Sequence, residues 1–273
     1  MRKPLSLYHP ALYWARVWQK RFFRALHWRF SERKYAWKCN PDKQLPFRHI
    51  KHTSKLIRKL GNTDILLQKN KVVNLRLAIQ NINGVIIAPN EYFSFYRLIG
   101  KPTKKRGYLE GMELSFGEAR SGVGGGLCQL SNLIHWMALH SPLNIIERSN
   151  HSFDPFPDDN RVLPFGSGAA IFYNYIDLVL FNPTQQYFQL IFSIDEKQLA
   201  GDLRSSELSN VKYHVYQRNH RFRKEGNLVY RENEIWRDIT KKGHPPQSIG
   251  SELLYKNNVI VKYNVDEKLL DTN

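Results

Sequence analysis

A cysteine stands between a glycine cluster and an amphipathic segment: Gly122-Val123-Gly124-Gly125-Gly126-Leu127-Cys128-Gln129 opens onto Leu130 to Leu139. At the start of a helix the first backbone N–H groups lack intrahelical partners, and together with the helix dipole they favour negative charge. A cysteine placed there is expected to have a depressed thiol pKa and to serve as a nucleophile. Downstream, Ile145-Ile146-Glu147-Arg148 reads as a short strand that delivers Ser149-Asn150-His151-Ser152-Phe153-Asp154. Histidine titrates near neutrality, so His151 could take the thiol proton as a base and return it as an acid. That pairing is what acyl transfer through a cysteine needs. Taken singly, Cys128 reads slightly better as a small buried hydrophobe behind a tight loop, and His151 better as a solvated loop residue. The pair carries the expectation.

The elements that must position this pair come from a chain of 273 residues, 42% of them apolar, enough for a core of one large domain or of one domain with appendages. Val72, Leu75, Ile79 and Ile82 recur at helical spacing, with Gly84 as the stop. Val85 to Ala88 reads as a short buried strand, closed by Pro89-Asn90, and Tyr92 to Tyr96 as aromatic scaffold under the glycine loop. Ala169 to Phe172 and Ile176 to Phe181 are expected to be strands, with a turn at Asn182-Pro183-Thr184 before Tyr187 to Ile194. Lys212 to Tyr216 and Asn227 to Arg231 flank the turn-like Lys224-Glu225-Gly226, and Asn258 to Tyr263 is the final strand. The fold class is therefore α+β: a glycine-rich loop leading into a helix headed by Cys128, packed on a largely antiparallel sheet, with a tail rich in β-hairpins. Three regions are expected: a basic aromatic segment over 1–60, a core over 61–200 and a β-rich extension over 201–273.

Charge is unevenly spread. The net charge is +17, yet residues 1–60 hold 16 lysines and arginines against only Glu32 and Asp42, a net of +14, which leaves +3 for the rest. Within 11–26, Trp14, Trp18, Phe22 and Leu26 fall four apart and share a helix face, while Arg16, Lys20, Arg21 and Arg24 lie largely away from it. Such a helix suits the interface of an anionic membrane. Packing of the aromatic face on its own domain is held equal to it. Nucleic acid ranks below, because no helix-turn-helix, zinc-finger or RNA-recognition signature accompanies the charge. The start has no apolar run of signal-peptide length and the chain no run of about 20 apolar residues, so the expected location is cytoplasmic, peripheral to the inner membrane face. Cys39 and Cys128 are expected to be free thiols. No zinc-ligand spacing is present, and neither a metal nor a cofactor is expected.

The spaced set Asn74, Asn83-Gly84, Pro89-Asn90-Glu91-Tyr92-Phe93-Ser94-Phe95, Gly107-Tyr108, Gly124-Gly125-Gly126-Leu127-Cys128-Gln129-Leu130-Ser131 and Glu147-Arg148-Ser149-Asn150-His151-Ser152 resembles the VanW family, named from an accessory protein of vancomycin-resistance clusters. The resemblance implies a link to the bacterial cell wall. It further implies an L,D-transpeptidase-like acyl transferase or a peptidase on a muropeptide or peptidoglycan precursor, with Cys128 as nucleophile and His151 as base. Gly124, Gly125 and Gly126 would shape the loop, and Arg148 would support the site. Gln129 would lend a donor to the oxyanion or close the loop by a hydrogen bond. Where relatives tend to carry Asp-Ala-Thr, this chain has Gly168-Ala169-Ala170, so Asp154 and Asp177 become the candidates to orient the histidine, with a structural place at a strand end the favoured role for Asp177. The alternative is a non-catalytic accessory module that binds a cell-wall precursor or glycopeptide at the membrane surface.

Overall fold

Proline is tolerated in the first turn of a helix, and Pro10 opens α1 (Pro10–Phe30) just after His9, whose Nδ1 accepts a hydrogen bond from the Ala11 N–H. The computed structural model describes residues 9–57, 64–115, 118–150, 153–155, 157–158 and 162–271. One stripe of α1 is docked: Val17 is fully buried, and Tyr13, Arg21, Arg24 and Trp28 are half-buried around it. Arg24 forms a two-pronged ion pair with Glu147 (2.5 Å), and Arg21 Nε donates to the Tyr173 carbonyl (3.2 Å). Trp14, Trp18 and Phe22 are 52%, 67% and 61% exposed on the other side. The aromatic face therefore does not pack on its own domain. Two of the four cations assigned to the opposite face, Arg21 and Arg24, turn inward because Glu147 and an aromatic wall await them.

The segment after α1 is stitched into the core by bridges from Tyr35 to Tyr92 and from Cys39 to Val85, and it runs on into β1 (Phe47–Lys55). α2 (Ile65–Ile82) is capped by Asp64, whose carboxylate accepts from the Leu66 N–H. It stops at Gly84, whose φ of +80° takes the chain where only glycine goes without strain. There follow β2 (Val85–Ile87), β3 (Tyr92–Ser94), α3 (Phe95–Ile99), β4 (Glu110–Ser115), β5 (Glu118–Val123), α4 (Cys128–Leu139), β6 (Asn144–Glu147), β7 (Phe153–Asp154) and β8 (Val179–Phe181). The chain ends with β9 (Phe188–Ile194), β10 (Gln198–Ser205), β11 (Val211–Glu225), β12 (Leu228–Lys241), β13 (Gln247–Val261) and β14 (Leu270–Asp271).

Among the described residues four sheets result, ordered β1-β10-β9-β2, β3-β8-β6, β4-β5 and β14-β11-β12-β13-β7. All pairs are antiparallel except the short outer contacts β11–β14 and β13–β7, and the fold is α+β. The core forms where Leu75, Ala78 and Ile82 of α2 and Leu130, Leu133, Ile134 and Met137 of α4 meet Val85, Leu190, Leu199 and Leu203 of the first sheet. Burial of each large side chain contributes roughly 1.5–3 kcal/mol. That packing fixes the N-terminus of α4 in space. A second cluster, Trp136 and Leu139 against Val215 and Ile235, lays the C-terminal sheet on the far end of the same helix.

One expectation changes, the strand over Ala169 to Phe172, while the regions and the tail gain detail. β1 lies ahead of the boundary set at residue 60 and β10 straddles the one set at 200, so the first sheet unites all three sequence regions. Ala169 to Phe172 makes only isolated bridges, Ser149 to Ala170 and Phe172 to Ile176, because the chain turns at once through Asn174 (φ +53°). The tail is one meander of long strands, with Gly226 (φ +58°) at the turn that separates β11 from β12. Among the described residues no helix is long and apolar enough to cross a membrane.

Candidate functional site

The glycine loop is shaped by close approach of backbone to backbone. A Cβ on Gly125 would stand 2.1 Å from the Gly111 carbonyl oxygen, and Gly126 sits at φ +92°. Buried Asn74 of α2 clamps the loop. Its Nδ2 donates to the carbonyls of Gly125 (2.9 Å) and Leu109 (3.0 Å), while its Oδ1 accepts from the Leu109 N–H (2.8 Å). The chain thus enters α4 with Leu127 at the cap position offering no side-chain acceptor, and Cys128 becomes the first helical residue.

Cys128 is a free, half-buried thiol at one wall of a cleft of about 140 Å³. Arg21 of α1, Tyr96 of α3, Lys101, Glu113 of β4, the glycine loop and residues 171–173 complete the lining. Burial pushes the Cys128 thiol above its ordinary pKa and the Glu113 charge adds to the rise, while the backbone N–H groups of Ile171 and of Cys128 itself pull the other way. The depressed thiol expected from the helix start is therefore corrected: desolvation outweighs the first-turn amides. Tyr96 is only 4% exposed, yet it is among the residues that line the cleft. Burial and then the neighbouring Cys128 hold this phenol well above its ordinary pKa, so at neutral pH it is a donor.

His151 lies outside the described residues. The chain on both sides of it is tied to β13: Asn150 Nδ2 donates to Asn257 Oδ1 (2.8 Å), and Phe153 pairs with Ile260. Ser149 bridges Ala170, the neighbour of cleft residue Ile171. Gln129 is turned away, its Nε2 donating to Ser54 Oγ (2.9 Å) and the Lys55 carbonyl (2.8 Å), so it closes the loop onto β1 and offers nothing to an oxyanion. Arg148 donates to the carbonyls of Gly166 and Gly168 and stacks 3.9 Å over the Tyr255 ring. Asp154 accepts from Arg231 (2.9 Å) and the Tyr263 hydroxyl (3.0 Å). His135, two turns along α4, cannot serve as base: its Nδ1 donates to the Ser167 carbonyl, its Nε2 accepts from Tyr255, and burial lowers its pKa to about 3.

Asp177 is fully buried and works on α3. Its carboxylate accepts from Ser94 Oγ (2.6 Å) and from the N–H groups of Tyr96 (3.0 Å) and Leu178 (2.9 Å), and so it holds Tyr96 at the cleft. Burial, helped by Glu147, raises its pKa to about 6 against the pull of those donors. In the unfolded chain this carboxyl loses its proton near pH 3.9, before the folded one does, so stability falls as pH climbs from about 4 to 6, by about 3 kcal/mol. Thermal melts of the wild type against pH are expected to show that decline, and Asp177→Asn to flatten it. A wild-type melting temperature that rises through the same window would contradict the assignment.

The sequence pattern singled out Cys128 but not Tyr96, Lys101 or Glu113. The aromatic run through Tyr96 is the one available signal, and it reads as scaffold until α3 brings Tyr96 to the cleft. Among the described residues no group of three or more His, Cys, Asp or Glu side chains is placed to hold a metal ion.

Comparison with known proteins finds that a family model described as "VanW like protein" matches residues 70–204. The chain is 31% identical over 268 residues, 98% of its length and 97% of the relative's, to the Vancomycin B-type resistance protein VanW of Enterococcus faecalis (strain ATCC 700802 / V583). A shorter match, 33% identical over 84 residues, covers 31% of this chain and 28% of the Uncharacterized protein YoaR of Bacillus subtilis (strain 168). No solved structure matches.

Proposed function

Since the chain belongs to the VanW family, we propose that it acts in cell-wall chemistry, with Cys128 taking an acyl group from a peptidoglycan stem peptide or its precursor. The observation that carries this reading is the cleft itself. A thiol at an uncapped helix start shares the cleft with the largely buried Tyr96, and two cations, Arg21 and Lys101, stand in the same lining. In the proposed reaction the Cys128 proton passes to the His151 imidazole as Sγ adds to the carbonyl carbon of the peptide. The charge that develops on the carbonyl oxygen is met by the Tyr96 O–H and the first-turn N–H groups. The C–N bond then breaks, His151 returns the proton to the leaving amine, and a thioester remains on Cys128. An amine of a second stem, or water, attacks the thioester and releases the thiol. Arg21 and Lys101 suit the carboxylates that stem peptides carry. The raised thiol pKa means that the resting group is S–H, so proton transfer accompanies attack instead of preceding it.

The same raised thiol favours a second reading, an accessory module that binds a cell-wall precursor or glycopeptide without chemistry. Intact-mass spectrometry after incubation with a disaccharide-tetrapeptide separates the two. The acyl-transfer reading expects an adduct of acyl mass on Cys128, sensitive to hydroxylamine and absent in Cys128→Ser. Binding that survives Cys128→Ser with no adduct at any time would establish the accessory module.

A further inference from the structure

We propose that the outer face of α1 seats this protein on an anionic membrane surface. The proposal stands apart from any chemistry at Cys128. Its first support is that α1 is held in one orientation. Val17 is fully buried, Arg24 is paired to Glu147 at 2.5 Å, Lys20 Nζ lies 4.4 Å from the centre of the Tyr175 ring, and Arg97 donates to the Trp28 carbonyl. Docking of this stripe turns Trp14, Trp18 and Phe22 outward as a row, each more than half exposed, and Phe23 joins them at 58%. The row runs about 12 Å along the helix. Single exposed hydrophobes are ordinary on a soluble surface, but a contiguous row of large aromatic rings marks a contact site.

The second support is charge complementarity. α1 carries no acidic residue, Arg29 lies beside the row, and Arg16 is exposed on the undocked side of the helix. A protein partner with a matching apolar groove explains the rings but not the cations; a duplex nucleic acid explains the cations but leaves the tryptophans outward with nothing to bury them. A bilayer rich in anionic lipid answers both, with indole and phenyl rings at the level of the head groups and arginine stems reaching back to the phosphates. The geometry also places the lipid surface near the cleft. Arg21 leaves the inner side of the same helix and lines the Cys128 pocket, so about one helix diameter, 10–12 Å, separates the two.

The test uses the full chain and vesicles of phosphatidylcholine with or without phosphatidylglycerol. Sedimentation with the vesicles is expected to be at least about tenfold stronger when phosphatidylglycerol is present, with a blue shift of tryptophan emission. Trp14→Ser/Trp18→Ser/Phe22→Ser and, separately, Arg16→Glu/Arg29→Glu are each expected to weaken it by about tenfold or more. Because the altered side chains point outward, circular dichroism and melting temperature serve as controls that the fold is kept. Binding to neither vesicle, or binding indifferent to the triple variant, overturns the proposal. Self-association lost in the triple variant, with no vesicle binding, reassigns the face to a second copy of the chain. Salt-dependent binding to DNA without vesicle binding reassigns it to nucleic acid.

Discussion

With alanine at 128, turnover of a disaccharide-tetrapeptide falls by about 10⁴-fold or more, the loss seen when the nucleophile of a covalent mechanism is removed and only binding and oxyanion contacts remain. The melting temperature should barely move, because Cys128 is half-buried at a helix start and its removal leaves no charge unpaired. Tyr96→Phe supplies the companion measurement. Its ring packs edge-on to Phe95 and Tyr173, both at 5.4 Å, so phenylalanine keeps the packing and deletes only the hydroxyl. Loss of one oxyanion donor lowers kcat by about 10²–10³-fold with KM little changed. Full turnover in Cys128→Ala would remove the thiol from the mechanism. An unchanged kcat in Tyr96→Phe would leave the phenol with a packing role alone.

The second large effect is on stability. Arg231 is 1% exposed, with its guanidinium between the carboxylates of Asp154 and Asp158 and against the Phe165 and Phe222 rings. Asp154 is itself buried. Arg231→Ala leaves that carboxylate without its buried cation, and breaking one side of a buried ion pair costs about 3–5 kcal/mol. For a chain of this size the melting temperature drops by about 10 °C. In Arg231→Met/Asp154→Leu no buried charge is left over, so the loss is expected to shrink by at least about 2 kcal/mol relative to Arg231→Ala. Calorimetry of the three variants decides, and equal losses in single and double variants would mean that packing of the arginine stem dominates. Asp154 lies three residues after His151, so the single variant should also loosen the chain that presents the proposed base.

What could be read in the sequence was local. Gly84 as helix stop, Gly226 at the hairpin turn and Cys128 at the head of an apolar-periodic helix depend on backbone conformation and on spacing within a few residues. Partners distant in the chain were out of reach. Arg21 and Arg24 sit on a helix whose periodicity turns its rings away from its cations, and only Glu147, 123 residues beyond Arg24, decides that this cation faces inward. Arg231 likewise meets Asp154 across 77 residues. The thiol was misjudged for a related reason. A helix start is visible in the sequence, but the burial that outweighs it comes from residues 171–173 and from α1. Ala169 to Phe172 shows the limit of pattern alone: the residues suit a strand, and the turn through Asn174 denies them a ladder.

The order of the first sheet has a consequence for biosynthesis. β2 waits for β9, and β1 waits for β10, so two strands made early cannot pair until residues 188–205 have left the ribosome. The glycine loop and α4 are translated in that interval, before the sheet that buries the helix exists. At about 5–20 residues per second the gap between residues 128 and 205 lasts on the order of ten seconds. During those seconds the apolar face of α4, with Leu130, Leu133, Ile134 and Met137, is uncovered, a hazard that ends only when the late strands close over the helix.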